Sequence, residues 1–256
     1  MTWMLGLIGA VLAVGISLCW YLTGIRAQGV NRVLKRNDYW RTAGVYGFCY
    51  TCLLIIVTEI LWDVVADRIG LTGLKRDILA DFFRAALLEE FFKFTGFLLA
   101  KRSLKLRRKI DYIMIAGLIG LMYGVVEKAV LGNIAGVVVG LAIPMHITWQ
   151  FNQGGHWFEY EEAKARNDRP KMQREMLMAV FLPFVFHGCW DSGLDLSLWL
   201  IEKESVTAQV IGGVMSLAMV VLGIVYTIRT IKKVCAIARA SEPVISDQEM
   251  PEPQNG

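Results

Sequence analysis

The strongest constraint on this chain is the layout of its apolar residues. They fall in blocks of about 20, long enough to cross ~30 Å of hydrocarbon as a helix, and basic segments separate them. A bilayer core offers no water to the backbone, so blocks of this kind fold as α-helices that satisfy their own peptide hydrogen bonds. Candidate spans lie at 3–23, 45–66, 78–100, 111–130, 133–151, 177–200 and 208–228. The expectation is an all-α polytopic membrane helical bundle of about seven transmembrane helices. Hydrophobic residues are 55% of the 256 and charged ones 20%, too little charge spread along the chain for one or two soluble cores.

The connections carry the orientation. Twenty Lys and Arg gather at Arg26–Arg41, Lys101–Lys109, Lys164–Arg174 and Arg229–Arg239, against four at Arg68, Lys75, Arg76 and Lys203. Positive loops stay in the cytoplasm, which places the N-terminus outside and the C-terminus cytoplasmic. The net charge of +4 is then a consequence of topology, and no nucleic acid partner is needed. No basic segment precedes the first span and positive charge follows it, the reverse of a cleavable signal, so it is read as a retained helix. Residues 1–240 are expected to form a single transmembrane domain with its catalytic core at about 78–200. Residues 241–256, acidic and holding Pro243, Pro251 and Pro253, are expected to be a disordered tail. The five cysteines lie in or beside spans, so no disulfide framework is implied, and Cys49-x-x-Cys52 in an apolar helix reads as packing. Gly117, Gly120 and Gly124, and separately Gly132, Gly136 and Gly140, form small-residue stripes that predict close helix approach.

Ionisable residues inside the spans call for a reason, because each costs about 2.5–3.5 kcal/mol at a helix centre. The third span carries Glu89, Glu90 and Lys93 near its middle; Glu89 and Lys93 share a face, and Glu90 is turned ~100° away toward a neighbouring helix. Tyr123 and Glu127 are four apart on the fourth span, His146 and Gln150 on the fifth after Pro144, and His187 and Asp191 on the sixth. A carboxylate one turn from an imidazole orients it for proton relay. Of two adjacent carboxylates in a low dielectric, one is expected to hold a proton and the other to act as a base. Glu59 and Asp63, near the outer end of the second span, read as a structural pair, and Tyr123 taken alone as interior packing. Helix depths leave Glu127 nearer the outer surface and His146 on the inner side, so a shared site requires tilts or kinks of several ångströms.

These residues resemble the PrsW family of intramembrane proteases, relatives of the CAAX prenyl protease and bacteriocin-processing group. The family's EExxK is similar to Glu89-Glu90-Phe91-Phe92-Lys93, its (F/Y)xxxE to Tyr123–Glu127, and its HxxxD to His187–Asp191. A histidine followed eight residues later by glycine is matched by His146 and Gly154. Lys128 stands where the family pattern leads one to expect Asn. The resemblance implies a multi-pass protease of a bacterial cytoplasmic membrane that cleaves a membrane-spanning protein substrate. Anti-sigma factors are the implied substrate class, cut first in a regulated cascade.

The expected catalytic residues are Glu89, Glu90, Glu127, His146 and His187, supported by Lys93, Asp191 and Tyr123. Glu89 or Glu90 would activate water as general base, and the histidines would stabilise the oxyanion or protonate the leaving amine. No HExxH motif is present, so the expectation is a metal-independent glutamate enzyme; zinc is left open, with His146, His187, Glu90 and Glu127 as its N/O ligand set. The alternative is a proton- or ion-coupled transporter using the same buried Glu and His side chains. A third reading is a non-catalytic scaffold. Residues 156–176, with Trp157, Phe158 and Tyr160 among glutamates, allow either an interfacial helix or a projecting loop.

Overall fold

The computed structural model describes residues 37–130 and 136–240. The expected first span 3–23 and the acidic tail therefore lie outside the described residues. Within them all regular structure is helical: α1 (Asn37–Arg68), α2 (Gly73–Leu79), a π-helical segment (Ala80–Leu88) that runs into α3 (Glu89–Leu104), α4 (Lys109–Val130), α5 (Gly136–Ala165), α6 (Arg169–Ile201) and α7 (Val206–Ala240). By length and composition three helices among the described residues can cross a membrane, over Lys109–Glu127, Arg169–Ile201 and Val206–Ala238. The expected third span differs from the reading as one α-helix. Its α-helical part is only 16 residues and contains Glu89, Glu90 and Lys93, and the turns before it are π-helical.

α4 is the axis of the bundle, packed against α1, α3 and α5, and its residues Met114, Ile115, Leu118 and Ile119 are buried in the main core. α6 and α7 close the far side and turn apolar residues outward: Val210, Val214, Leu217, Val221 and Leu222 on α7 are all about half exposed or more. A continuous apolar face of this kind is not tolerated in water and fits lipid.

Small residues set the α4–α5 spacing. A Cβ at Gly120 would lie 2.5 Å from the His146 carbonyl oxygen, and one at Gly154 would lie 2.5 Å from that of Tyr112. Both helices thus approach backbone to backbone, as the Gly117/Gly120/Gly124 stripe predicts. The surroundings of Gly132, Gly136 and Gly140 lie outside the described side chains, as do the side chains of Glu59 and Asp63.

Residues 156–176 are helical apart from a short turn, not one long loop. α5 continues to Ala165 and α6 begins at Arg169, leaving a tight hairpin with Asn167 in the left-handed region at φ 57°. Asp168 caps α6 by accepting from the Lys171 backbone N–H at 3.1 Å, with Pro170 in the first turn where no amide donor is needed. Ion pairs bind this end together: Glu161 accepts from Lys101 and from Tyr112 Oη, and Glu159 accepts from Lys109 and Lys171. The basic segments 101–109 and 164–174 therefore lie at one end of the bundle.

Candidate active site

Four elements deliver the polar residues to one place. The π-helical turns widen the helix just before Glu89 and Glu90, a feature that recurs at functional sites. One turn on, the Lys93 ammonium donates to Glu90 Oε1 at 2.7 Å, to His146 Nδ1 at 2.9 Å and to Glu89 Oε2 at 3.4 Å. Its three hydrogens are thus all directed at acceptors, and the Tyr123 ring closes the remaining side with its centroid 4.1 Å away. Lys93 is held mainly by Glu90, not by Glu89 as the shared helix face suggested. Tyr123 is more than interior packing, because it forms a wall of the lysine's cage.

The depth mismatch between Glu127 and His146 is resolved by side-chain direction. α4 and α5 are consecutive and run antiparallel, and a helical Cα–Cβ bond leans toward its own N-terminus. Glu127 and His146 therefore lean toward one another, and they meet with His146 Nε2 and Glu127 Oε2 2.9 Å apart. An ammonium only donates, so Nδ1 is the acceptor toward Lys93, and Nε2 carries the hydrogen given to Glu127. Gly124 permits this, since a Cβ there would lie 3.0 Å from His146 Cδ2.

His187 reaches the same centre from α6. Its Nδ1 is 2.9 Å from Glu90 Oε1, and its Nε2 is 3.1 Å from Asp191 Oδ2 and 3.8 Å from Glu89 Oε2. α6 comes this close because Gly188 packs on Phe82 of the π-helical segment, where a Cβ would lie 2.5 Å from the ring. Gln150 donates to Glu90 Oε2 at 2.7 Å. Glu90 is consequently held by three partners, whereas Glu89 has a hydrogen bond from Tyr123 and longer contacts to Lys93 at 3.4 Å and His187 at 3.8 Å.

All eight expected site residues converge. Trp149 is an addition that sequence reasoning missed: its ring stacks on His187 with centroids 4.6 Å apart and meets His146 edge-on. It stands three residues after His146 on the same helix face, a spacing indistinguishable from ordinary core packing. Its Nε1 and the Gln150 Oε1 are buried without a protein partner, so polar capacity is left at the centre.

Donor chemistry also fits a divalent metal. Glu89, His146 and His187 each offer a ligand atom within 4.8 Å of the others, and all three are buried. This set holds Glu89 where the sequence reading placed Glu90 and Glu127, which are instead engaged by Lys93, Gln150 and the imidazoles.

Carboxylates and imidazoles gathered inside a helical bundle with an apolar outer face define a membrane protein with a buried ionisable site. The chain belongs to the PrsW family: a profile described as PrsW family intramembrane metalloprotease matches residues 39–226, which include every site residue. It is therefore an intramembrane protease, a peptide hydrolase, and its substrates are proteins of the lipid bilayer. Neither the curated proteins nor the solved structures contain a match. The expectation of a metal-free enzyme finds no support, since the family is described as metalloproteases and a Glu/His/His set is present. The transporter alternative is not favoured.

Proposed function

We propose that Glu89, Glu90, Glu127, His146 and His187 form one hydrolytic centre that cuts a peptide bond of a membrane-anchored protein, with a divalent metal such as zinc held by Glu89, His146 and His187. The observation that carries this reading is the convergence of these residues from α3, α4, α5 and α6 around Lys93. A metal in this set supplies Lewis-acid polarisation of a carbonyl and a more acidic water. Glu127 fixes the His146 tautomer by accepting its Nε2 hydrogen, which leaves the Nδ1 lone pair facing the centre. Lys93 uses that same lone pair and so competes for it. Glu90 is the brace of the site, aligning Lys93, Gln150 and His187. Glu89 and His187, the latter oriented by Asp191 at 3.1 Å, would hold the metal with His146, and Glu90, which accepts from Gln150 and lies 2.9 Å from His187, is the carboxylate that would take a proton from water and return it to the leaving amine. Trp149 Nε1–H is a donor available to the developing oxyanion.

Four further features belong to this proposal: seven spans, the N-terminus outside, residence in a bacterial cytoplasmic membrane, and an anti-sigma factor substrate. The paired basic segments at one end of the bundle support the orientation. The test is purified protein in proteoliposomes with a single-pass substrate, assayed alongside metal content. Glu90→Gln, Glu127→Leu and His187→Ala are each expected to remove most cleavage while the protein stays inserted. Undiminished cleavage in all three would sink the shared centre, and full activity after chelation with no bound metal would sink the metal.

A further inference from the structure

A cavity of about 250 Å³, with cations over a largely apolar lining, lies away from the proposed hydrolytic centre, where α4 and α6 begin and α7 nears its end. Four cations line it: Lys109, Lys171, Arg174 and Lys233. Two carboxylates face them, and both are fully used. Glu159 takes Lys109 on Oε1 and Lys171 on Oε2, while Glu175 takes Arg174 on Oε1 and His156 on Oε2 at 2.7 Å. Glu159 lies beyond the expected span, and the hydrogen bonds from Lys109 and then Lys171 hold its carboxyl down at about 2, so it is ionised at any physiological pH.

The cavity thus keeps an excess of two positive charges even with His156 neutral. Donors exceed acceptors as well. Each paired lysine retains two N–H groups, Arg174 retains its Nη1, and exposed Lys233 makes no hydrogen bond or ion pair among the described residues. Behind these groups the lining turns apolar at Ile113, Phe151 and Val234. A charged mouth over an apolar floor, at the level where three membrane-capable helices end, matches a headgroup phosphate with the first carbons of its lipid beneath it.

We infer that this cavity binds the phosphate of an anionic phospholipid headgroup from the basic side of the membrane. The site is separate from the hydrolytic centre and stands whether or not the proposed catalytic roles do. Full-length protein is examined by native mass spectrometry with phosphatidylglycerol and phosphatidylcholine in equal amounts, and by thermal denaturation with either lipid or with inorganic phosphate. The expected result is retention of one phosphatidylglycerol in preference to phosphatidylcholine. Lys233→Gln should weaken this by roughly fivefold, the effect of one basic residue near a membrane surface, whereas Lys232→Gln, one position away and outside the cavity, should not. Both lysines are exposed, so neither variant threatens folding. Equal weakening by both variants, or no preference between the two lipids, would overturn the site. Stabilisation by inorganic phosphate equal to that by phosphatidylglycerol would assign the cavity to a soluble anion and overturn the lipid.

Discussion

Glu127 determines which nitrogen of His146 can face the centre. With Glu127 accepting from Nε2, the Nδ1 lone pair points at Lys93 and toward Glu89 and His187. Glu127→Leu removes the acceptor and leaves the imidazole free to choose either tautomer. The expected outcome is a loss of about 10–100-fold in both kcat/KM and metal affinity, the usual cost of losing an outer-shell partner. Glu127→Gln keeps an acceptor oxygen and should fall between, measured by substrate cleavage and metal analysis on the same preparation. At this scale most of the site was legible, because charge within an apolar span is conspicuous and the spacing of four puts Tyr123–Glu127, His146–Gln150 and His187–Asp191 on common faces. What stayed hidden was which contacts form across helices. Lys93 is attached mainly to Glu90 because the facing His146 and Tyr123 complete its cage there, and nothing in one helix's own periodicity reveals that.

The elements that hold these residues are set by glycines and by one irregular helix. Gly120→Ala would push a methyl group against the His146 carbonyl, with Gln150 Cγ also at 2.8 Å. Overpacking of that kind costs about 1–3 kcal/mol and shifts His146 with its backbone, so stability in a detergent denaturation series and activity should fall together. Gly44→Ala on α1, with nothing within 4 Å of the added Cβ, should raise stability by up to about 1 kcal/mol and leave cleavage unchanged. The α5–α6 hairpin offers a pH test. Glu159 is ordinarily at 4.5 and is lowered to about 2 by Lys109 and Lys171, so its contribution is complete above 4.5 and is lost as pH falls toward 2. Glu159→Gln should abolish that part of the acid destabilisation, read by comparing thermal midpoints of the two proteins across this window. The glycine stripe was visible in the sequence, whereas the π-helical segment was not. Its residues, Ala80–Leu88, include no Gly or Pro to announce it, and only the structure shows Phe82 within it packed on Gly188.

For the whole molecule, bilayer geometry made the helical class legible and left the exact crossings less so. Three helices satisfy apolarity by themselves even though α4 and α6 each bring site residues, while α3, with Glu89, Glu90 and Lys93, and α5, with His146 and Gln150, hold more polar groups and fall short. Polar groups on those two helices are tolerated where neighbouring helices shield them. Orientation is then carried by the basic ends. Lys101, Lys109 and Lys171 are tied at one end through Glu161 and Glu159, so the bundle cannot be threaded with those segments on opposite sides. Arg166 in the hairpin is 70% exposed, and Lys203 lies in the α6–α7 turn at the other end of α6. In a background with Cys19, Cys49, Cys52, Cys189 and Cys235 replaced by serine or alanine, Lys203→Cys in intact cells should react with a membrane-impermeant maleimide. Arg166→Cys should react only after the membrane is opened. The reverse pattern would invert the proposed orientation and place the cationic cavity on the outer leaflet. Labelling of both positions in intact cells, or of both only after the membrane is opened, would be incompatible with an odd number of crossings between them and would remove α6 from the membrane.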